Sequence, residues 1–260
     1  MRRVGCEAPI IYRTFASVAL VPESRHALMR AFVALVWHGC GTGVVFMRSG
    51  AERDGPGRMG EGAVTIARYH DGQRRLQDRF DSRRIADRLD EVTYARQLSD
   101  AQRAWIEASE MFFLATVGPD GHPDCSFKGG RPGFVRVLSP TELAWPDYDG
   151  NGQFRSLGNL VVSPHAGLLF IDWQRPARLR VNGRASIAPD DPLRLSWDGA
   201  QQAVRLAIEQ VFPNCPRYIP RMQVTEPSPY APSAGHTPPR PGWKDDPHFK
   251  DALPEKDRRP

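Results

Sequence analysis

The chain has 260 residues, of which 40% are hydrophobic and 25% charged, and its net charge is +5. This is an ordinary soluble composition, and the length fits one domain with extensions or two small domains. No apolar run approaches the roughly 18 residues that a membrane span needs, so we predict no membrane segment.

The positive charge is concentrated at the N-terminus. Residues 1–60 hold eight Arg against four acidic residues, which leaves a net charge of only +1 for residues 61–260. A nucleic-acid-binding domain carries its basic residues on the folded part, so no nucleic-acid partner is predicted. The four cysteines form no C-x-x-C pair, which predicts no metal site and no disulfide scaffold. A reducing cytoplasm is the expected location.

Residues 1–62 show no regular hydrophobic pattern, and Gly50 to Gly62 has the composition of a linker. Two interpretations stay open. The segment is a disordered extension, or the natural protein begins at Met59 and the preceding residues are an over-extended reading frame. In both, the folded domain is expected to cover residues 63–225.

Two helices are predicted ahead of the strands. Apolar residues near helical spacing predict one helix over residues 72–92. A second helix is expected from the S-x-x-Q capping box that begins at Ser99 to about Glu110. The apolar positions of the first helix are Leu76, Phe80, Ile85, Leu89 and Val92.

From Met111 the pattern changes to short apolar runs separated by turn residues. It predicts strands over residues 111–117, 123–128, 134–138, 142–145, 167–173 and 178–187. A short helix is expected over 154–162, and a longer amphipathic helix over 198–212, on the spacing of Val204, Ile208, Val211 and Phe212. Six short strands with few helices predict a mainly β domain, a small barrel with flanking helices.

The C-terminal segment differs in composition from the rest. Residues 213–260 hold 12 of the chain's 24 prolines. Proline at this density favours extended backbone without a packed core, so residues 226–260 are predicted to form a Pro-rich, extended or disordered tail.

Residues that are suited to bind an anion lie close together between positions 124 and 159. Arg155 and Ser156 begin the predicted short helix, where backbone N–H groups and the helix dipole favour an anion. Lys128 is the only lysine before residue 244. An Arg at a helix start is unfavourable unless an anion offsets it. A phosphate site and ordinary turn chemistry both remain open. Asp147 and Asp149 form a carboxylate pair for which turn capping is favoured over acid–base or metal chemistry.

At these positions the chain resembles the pyridoxamine 5′-phosphate oxidase-like flavoprotein family. The resemblance covers roughly residues 70–222. It implies a six-stranded split β-barrel (an FMN-binding split barrel), a homodimer, and FMN in a groove at the dimer interface. The matching runs are residues 112–117, 120–123, 126–130, 134–138, 145–152, 154–159, 167–172 and 180–183.

The resemblance also implies which residues contact the cofactor. The phosphate would be bound by Arg155 and Ser156, supported by Lys128 and Ser126 on the second strand. The edge of the flavin ring would be lined by Trp145 and Pro146, and a later strand would present Arg178 and Arg180 to the flavin.

The chain departs from true pyridoxamine 5′-phosphate oxidases, because it has Arg155-Ser156 where they have Arg-Lys and lacks their C-terminal Arg-x-His. Their own activity is therefore not expected. The resemblance implies an FMN-dependent oxidoreductase acting on an unidentified small molecule, with no catalytic acid or base assigned. Two alternatives stay open: a flavin- or haem-binding redox or stress module without turnover, and a reductase that uses a deazaflavin.

Overall fold

The computed structural model describes residues 69–258, so the predictions for residues 1–62 lie outside it. The elements, in chain order, are α1 (Asp71–Arg79), α2 (Arg83–Thr93), α3 (Asp100–Ala108), β1 (Met111–Val117), β2 (Pro123–Gly129), β3 (Arg136–Ser139), β4 (Glu142–Tyr148), α4 (Arg155–Val162), β5 (His165–Asp172), β6 (Ala177–Ile187) and β7 (Ala200–Pro213). Short 3₁₀ turns cover Pro192–Ser196, Gly242–Asp245 and Glu255–Asp257.

All seven strands belong to one antiparallel sheet, in the order β2-β1-β5-β6-β7-β4-β3. The predicted mainly β fold is confirmed. The structure differs from the predicted six-stranded barrel in two respects. There is a seventh strand, and within residues 69–258 no pairing between the edge strands β2 and β3 closes the sheet.

The sheet nevertheless rolls around one core. Phe112 of β1 and Trp145 of β4 are separated by three strands in the sheet order, yet their rings lie 5.5 Å apart. Phe112 also contacts the rings of Phe134 and Phe170, and Ile106 of α3 is fully buried in the same cluster. Burying each large side chain contributes about 1.5–3 kcal/mol, which makes the rolled arrangement the stable one.

The predicted helix over residues 72–92 is two helices. Asp81 has a left-handed φ of 49°, and the N–H groups of Ser82 and Asp81 donate to the carbonyls of Gln77 and Asp78, at 2.8 and 3.2 Å. This bonding pattern is the Schellman motif, which ends a helix and is usually made by Gly. The apolar spacing runs on through the break, so periodicity alone did not reveal it. The capping box at Ser99 is present as predicted.

The predicted helix over residues 198–212 is wrong, because this segment is strand β7. Val204, Leu206 and Ile208 alternate into the core as a strand requires. Glu209 is then an extra residue, since Asn182 pairs with Gln210 while the next residue of β6 pairs with Ile208. The bulge puts Val211 inside and creates the spacing of four and three that imitates a helix.

Gly183 lies directly opposite this bulge. A Cβ atom at this position would lie 2.0 Å from the carbonyl oxygen of Ala207, which is backbone and has nowhere to move. Only Gly permits the close approach of β6 and β7 at this point.

The Pro-rich C-terminal segment packs against the domain. The N–H of Met222 donates to the carbonyl of Trp173 at 3.1 Å, and Pro232 contacts Gly199. Leu253 and Lys244 are both 4% exposed. The segment has little regular secondary structure, yet its contacts with the sheet extend to the last described residues.

Candidate functional site

A groove of about 450 Å³ lies where β2, the end of β4, the start of α4 and the C-terminal segment meet. The loop of the groove, residues 149–154, contains Gly150 and Gly152, and Gly152 has a positive φ of 75°. The polar and aromatic side chains on its walls are Asp124, Ser126, Lys128, Asp147, Tyr148, Asp149, Asn151, Gln153, Phe154, Arg155, Ser156, Gln201, Trp243, Lys256 and Asp257.

A short hydrogen-bond chain joins β2 to α4 at the floor of the groove. Ser156 Oγ lies 2.8 Å from Asp124 Oδ2 and 2.9 Å from Ser126 Oγ. A hydroxyl has one proton. Ser156 therefore donates to the carboxylate of Asp124 and accepts from Ser126. The buried Ser156 fixes α4 against β2 with the proton that a phosphate ligand would otherwise use.

Arg155 stands at the first position of α4 and is exposed. Its Nε donates to Gln153 Oε1 at 2.8 Å, which holds the guanidinium at the mouth of the groove. Phe154 precedes it in a left-handed conformation, with φ 50° and ψ 30°. The first N–H groups of α4 have no acceptor within the helix and add partial positive charge beside Arg155.

Lys128 and Asp147 both line the groove and interact electrostatically without a direct ion pair. Burial raises the pKa of the Asp147 carboxyl, the positive charge of Lys128 lowers it, and nearby Asp149 raises it. The net shift is upward. Asp147 Oδ2 is buried and has no hydrogen-bond partner among the described residues. The carboxyl can hold a proton at a higher pH than a surface aspartate.

Asp149 is bound by two lysines of the C-terminal segment. Burial opposes ionisation of Asp149, but hydrogen bonds from Lys244 and Lys256 lower its pKa. Lys244 Nζ lies 2.6 Å from Asp149 Oδ2 and 2.9 Å from Asp257 Oδ1. Lys256 Nζ lies 3.2 Å from Asp149 Oδ1. The negative charge of this loop is therefore compensated from the C-terminus.

The structure brings together four of the eight residues assigned from the resemblance, namely Ser126, Lys128, Arg155 and Ser156. Trp145 and Pro146 are buried, and the Trp145 ring packs edge-on against Phe112 in the core instead of lining the groove.

Arg178 and Arg180 are also remote from the groove lining. They lie on the outer side of β6, where Arg180 donates to Asn214 Oδ1 and lies 5.8 Å over the ring of Phe212. Burial, together with the charge of Arg178, lowers the pKa of Arg180.

Sequence reasoning missed the contribution of the C-terminus, notably Trp243, Pro254 and Lys256. One signal was present. The chain has four lysines, and the three besides Lys128 all fall between residues 244 and 256 in an otherwise Arg-rich sequence. Proline density was the stronger local feature and favoured a tail.

Residues 98–224 match the family model described as pyridoxamine 5′-phosphate oxidase. This stretch contains α3, α4 and all seven strands. The domain formed by residues 98–224 belongs to the pyridoxamine 5′-phosphate oxidase-like family. No curated protein matches the chain.

Solved structures with a similar fold have low identity and low TM-scores. HupZ from Group A Streptococcus is 17% identical, with 45% of this chain and 93% of that one covered and a TM-score of 0.38. The haem storage protein HutZ from Vibrio cholerae is 18% identical, with coverage of 42% and 88% and a TM-score of 0.32. A FAD-binding protein from Mesorhizobium loti is 18% identical, with coverage of 45% and 95% and a TM-score of 0.32. Likenesses of this size support no statement about function.

Among residues 69–258, no helix is long and apolar enough to cross a membrane.

Proposed function

We propose that the protein is an FMN-dependent oxidoreductase that acts on a small molecule. The observation that carries the proposal is the convergence of Lys128, Arg155 and the N-terminus of α4 in a groove of the family's domain. A guanidinium, an ammonium and free backbone N–H groups are donors that suit a phosphate monoester.

The residues present fit FMN. Its phosphate would be held by Arg155, Lys128 and the first N–H groups of α4, while the hydrogen bond between Ser126 and Ser156 fixes α4 against β2. The carboxyl of Asp147, which lines the groove, offers an acceptor for an N–H group of the flavin ring. A volume of about 450 Å³ lies within the range of cofactor pockets. When bound, FMN supplies hydride or electron exchange, and the protein supplies position and electrostatics.

The same residues bear on the alternative cofactors. Among the described residues that line the groove there is no His, Cys or Met, but Tyr148 belongs to a residue type that serves as an axial ligand of haem iron. A deazaflavin would use the same phosphate donors, and the mass of the bound cofactor distinguishes it from FMN.

We also propose a homodimer of split barrels with the groove at the interface. Exposed apolar side chains on β2, on α4 and just before α4 support it, because exposed apolar surface is typical of a contact surface. They are Phe127, Phe154, Val161 and Val162, with exposures between 50% and 75%. A cytoplasmic location is part of the proposal, supported by the free, exposed thiols of Cys125 and Cys215.

Titration of FMN with the purified protein, followed by quenching of flavin fluorescence, tests the phosphate site. Arg155→Ala removes a charge-assisted contact of about 1.5–3 kcal/mol, so we expect its FMN dissociation constant to rise at least tenfold. The control is Arg84→Ala, an exposed arginine of α2 remote from the groove, which should bind FMN like the wild type. Equal loss of FMN in both variants would show that the phosphate is bound elsewhere.

A further inference from the structure

The last described residues, 240–258, form a strap across one side of the groove. Lys244 anchors it, since this ammonium is 4% exposed and bridges Asp149 of the groove loop to Asp257 of the strap itself. Leu253 of the strap is buried, and within the strap Arg258 Nε donates to the Leu253 carbonyl at 2.8 Å. A buried lysine held between two carboxylates is costly to separate from them, so the strap is fixed to the groove.

The strap adds one positive and one negative side chain to the groove. Without it, the groove lining carries three carboxylates, Asp124, Asp147 and Asp149, against two cations, Lys128 and Arg155. From the strap, Lys256 and Asp257 join this lining, while Lys244 is not part of it and binds Asp149 and Asp257. Lys256, which is 56% exposed, keeps its ammonium partly open to solvent and to a ligand.

The strap also supplies an aromatic surface. Trp243 lines the groove and remains 39% exposed, and its ring is held edge-on by Phe249 at 6.3 Å. An indole that is fixed on one side and open on the other is suited to contact a planar ring. From the domain itself, Tyr148 and Phe154 also line the groove, whereas Trp145 is buried in the core.

We propose that the strap, residues 240–258, is part of the ligand-binding site. Lys256 strengthens binding of the phosphate-bearing form of the cofactor, and Trp243 packs against its ring. The inference rests on the proposed function, because it concerns the same groove. It adds a second binding element, from outside the segment that matches the family model, which ends at residue 224.

FMN and riboflavin, which lacks the phosphate, separate the two roles. We expect Lys256→Gln to weaken FMN binding about fivefold at low salt and leave riboflavin binding unchanged, because only the phosphate responds to the lost charge. Trp243→Leu should weaken both ligands by a similar factor. Lys250→Gln is the matched control, since Lys250 is an exposed lysine of the same strap that does not line the groove. Lys256 and Lys250 are both exposed, so neither substitution is expected to prevent folding.

The outcomes of the proposed function and of the strap are distinguishable. Wild-type protein that binds neither flavin would contradict both. If the wild type binds FMN and Lys256→Gln binds it equally well, the phosphate role of the strap is wrong. The same follows if Lys256→Gln loses FMN and riboflavin binding alike. Unchanged binding in Trp243→Leu would overturn its ring contact. If Lys250→Gln weakened FMN binding as much as Lys256→Gln, the effect would come from general surface charge and the phosphate role of Lys256 would be wrong.

Discussion

At the scale of single residues, the hydrogen bonds that each polar group already makes within the protein determine what it can offer to a ligand in the groove. Ser156 was predicted as a phosphate donor from its place at a helix start, and the structure places it in the groove with its proton given to Asp124. Sequence spacing brings a hydroxyl to a site, but the acceptor that takes its proton comes from a strand 32 residues away. Trp145 illustrates the same limit, since its burial follows from the rolling of the sheet.

The buried Asp147 gives a pH-dependent prediction. Its pKa in the folded protein is raised above the unfolded value of about 4. The ionised carboxylate therefore costs stability at neutral pH, and the cost disappears as the pH falls toward the unfolded value. Asp147→Asn should melt at a higher temperature than the wild type at pH 7, and the difference should shrink as the pH approaches about 4.

Thermal melts of ligand-free protein across this pH range are the measurement. The exposed Asp190→Asn is the control and should follow the wild type at every pH. If Asp147→Asn is the less stable protein at pH 7, attraction between Lys128 and Asp147 outweighs the cost of burial.

At the scale of elements, most boundaries follow from local pattern. The strands of the β1–β2 hairpin, the short helix α4 and the capped helix α3 lie within a few residues of their predicted places, because turn and cap residues mark them. The two departures have causes that the spacing of apolar residues does not reveal. An Asp in a position that usually takes Gly ends α1, and a bulge opposite Gly183 gives β7 a helical spacing.

The bulge leads to a prediction about stability. Gly183→Ala would place a methyl group against the Ala207 carbonyl, so β6 and β7 would have to separate in the centre of the sheet. We expect the free energy of unfolding to fall by at least about 1–3 kcal/mol in a denaturant titration. Gly150→Ala is the comparison, because its Cβ would meet open space. Equal stability of the two variants would mean that the strands do not approach as closely as described.

At the scale of the whole molecule, the domain and the C-terminal strap form one unit around the groove. The proline-rich composition indicates a segment with little regular structure, but composition carries no information about contacts. These are decided by a few residues, chiefly Lys244, Leu253 and Lys256, whose partners lie between 50 and 110 positions earlier in the chain or within the strap. The resemblance covers the domain and is silent about the strap, so this half of the site could come only from the structure.

The central claim is that the groove binds FMN, and the most direct measurement is mass spectrometry of the cofactor that co-purifies with the protein, supported by its absorbance spectrum. We predict a yellow protein that releases a compound with the mass of FMN, in a ratio near one per chain. A different cofactor, haem or a deazaflavin, or a colourless protein that cannot be loaded with FMN, would contradict the claim.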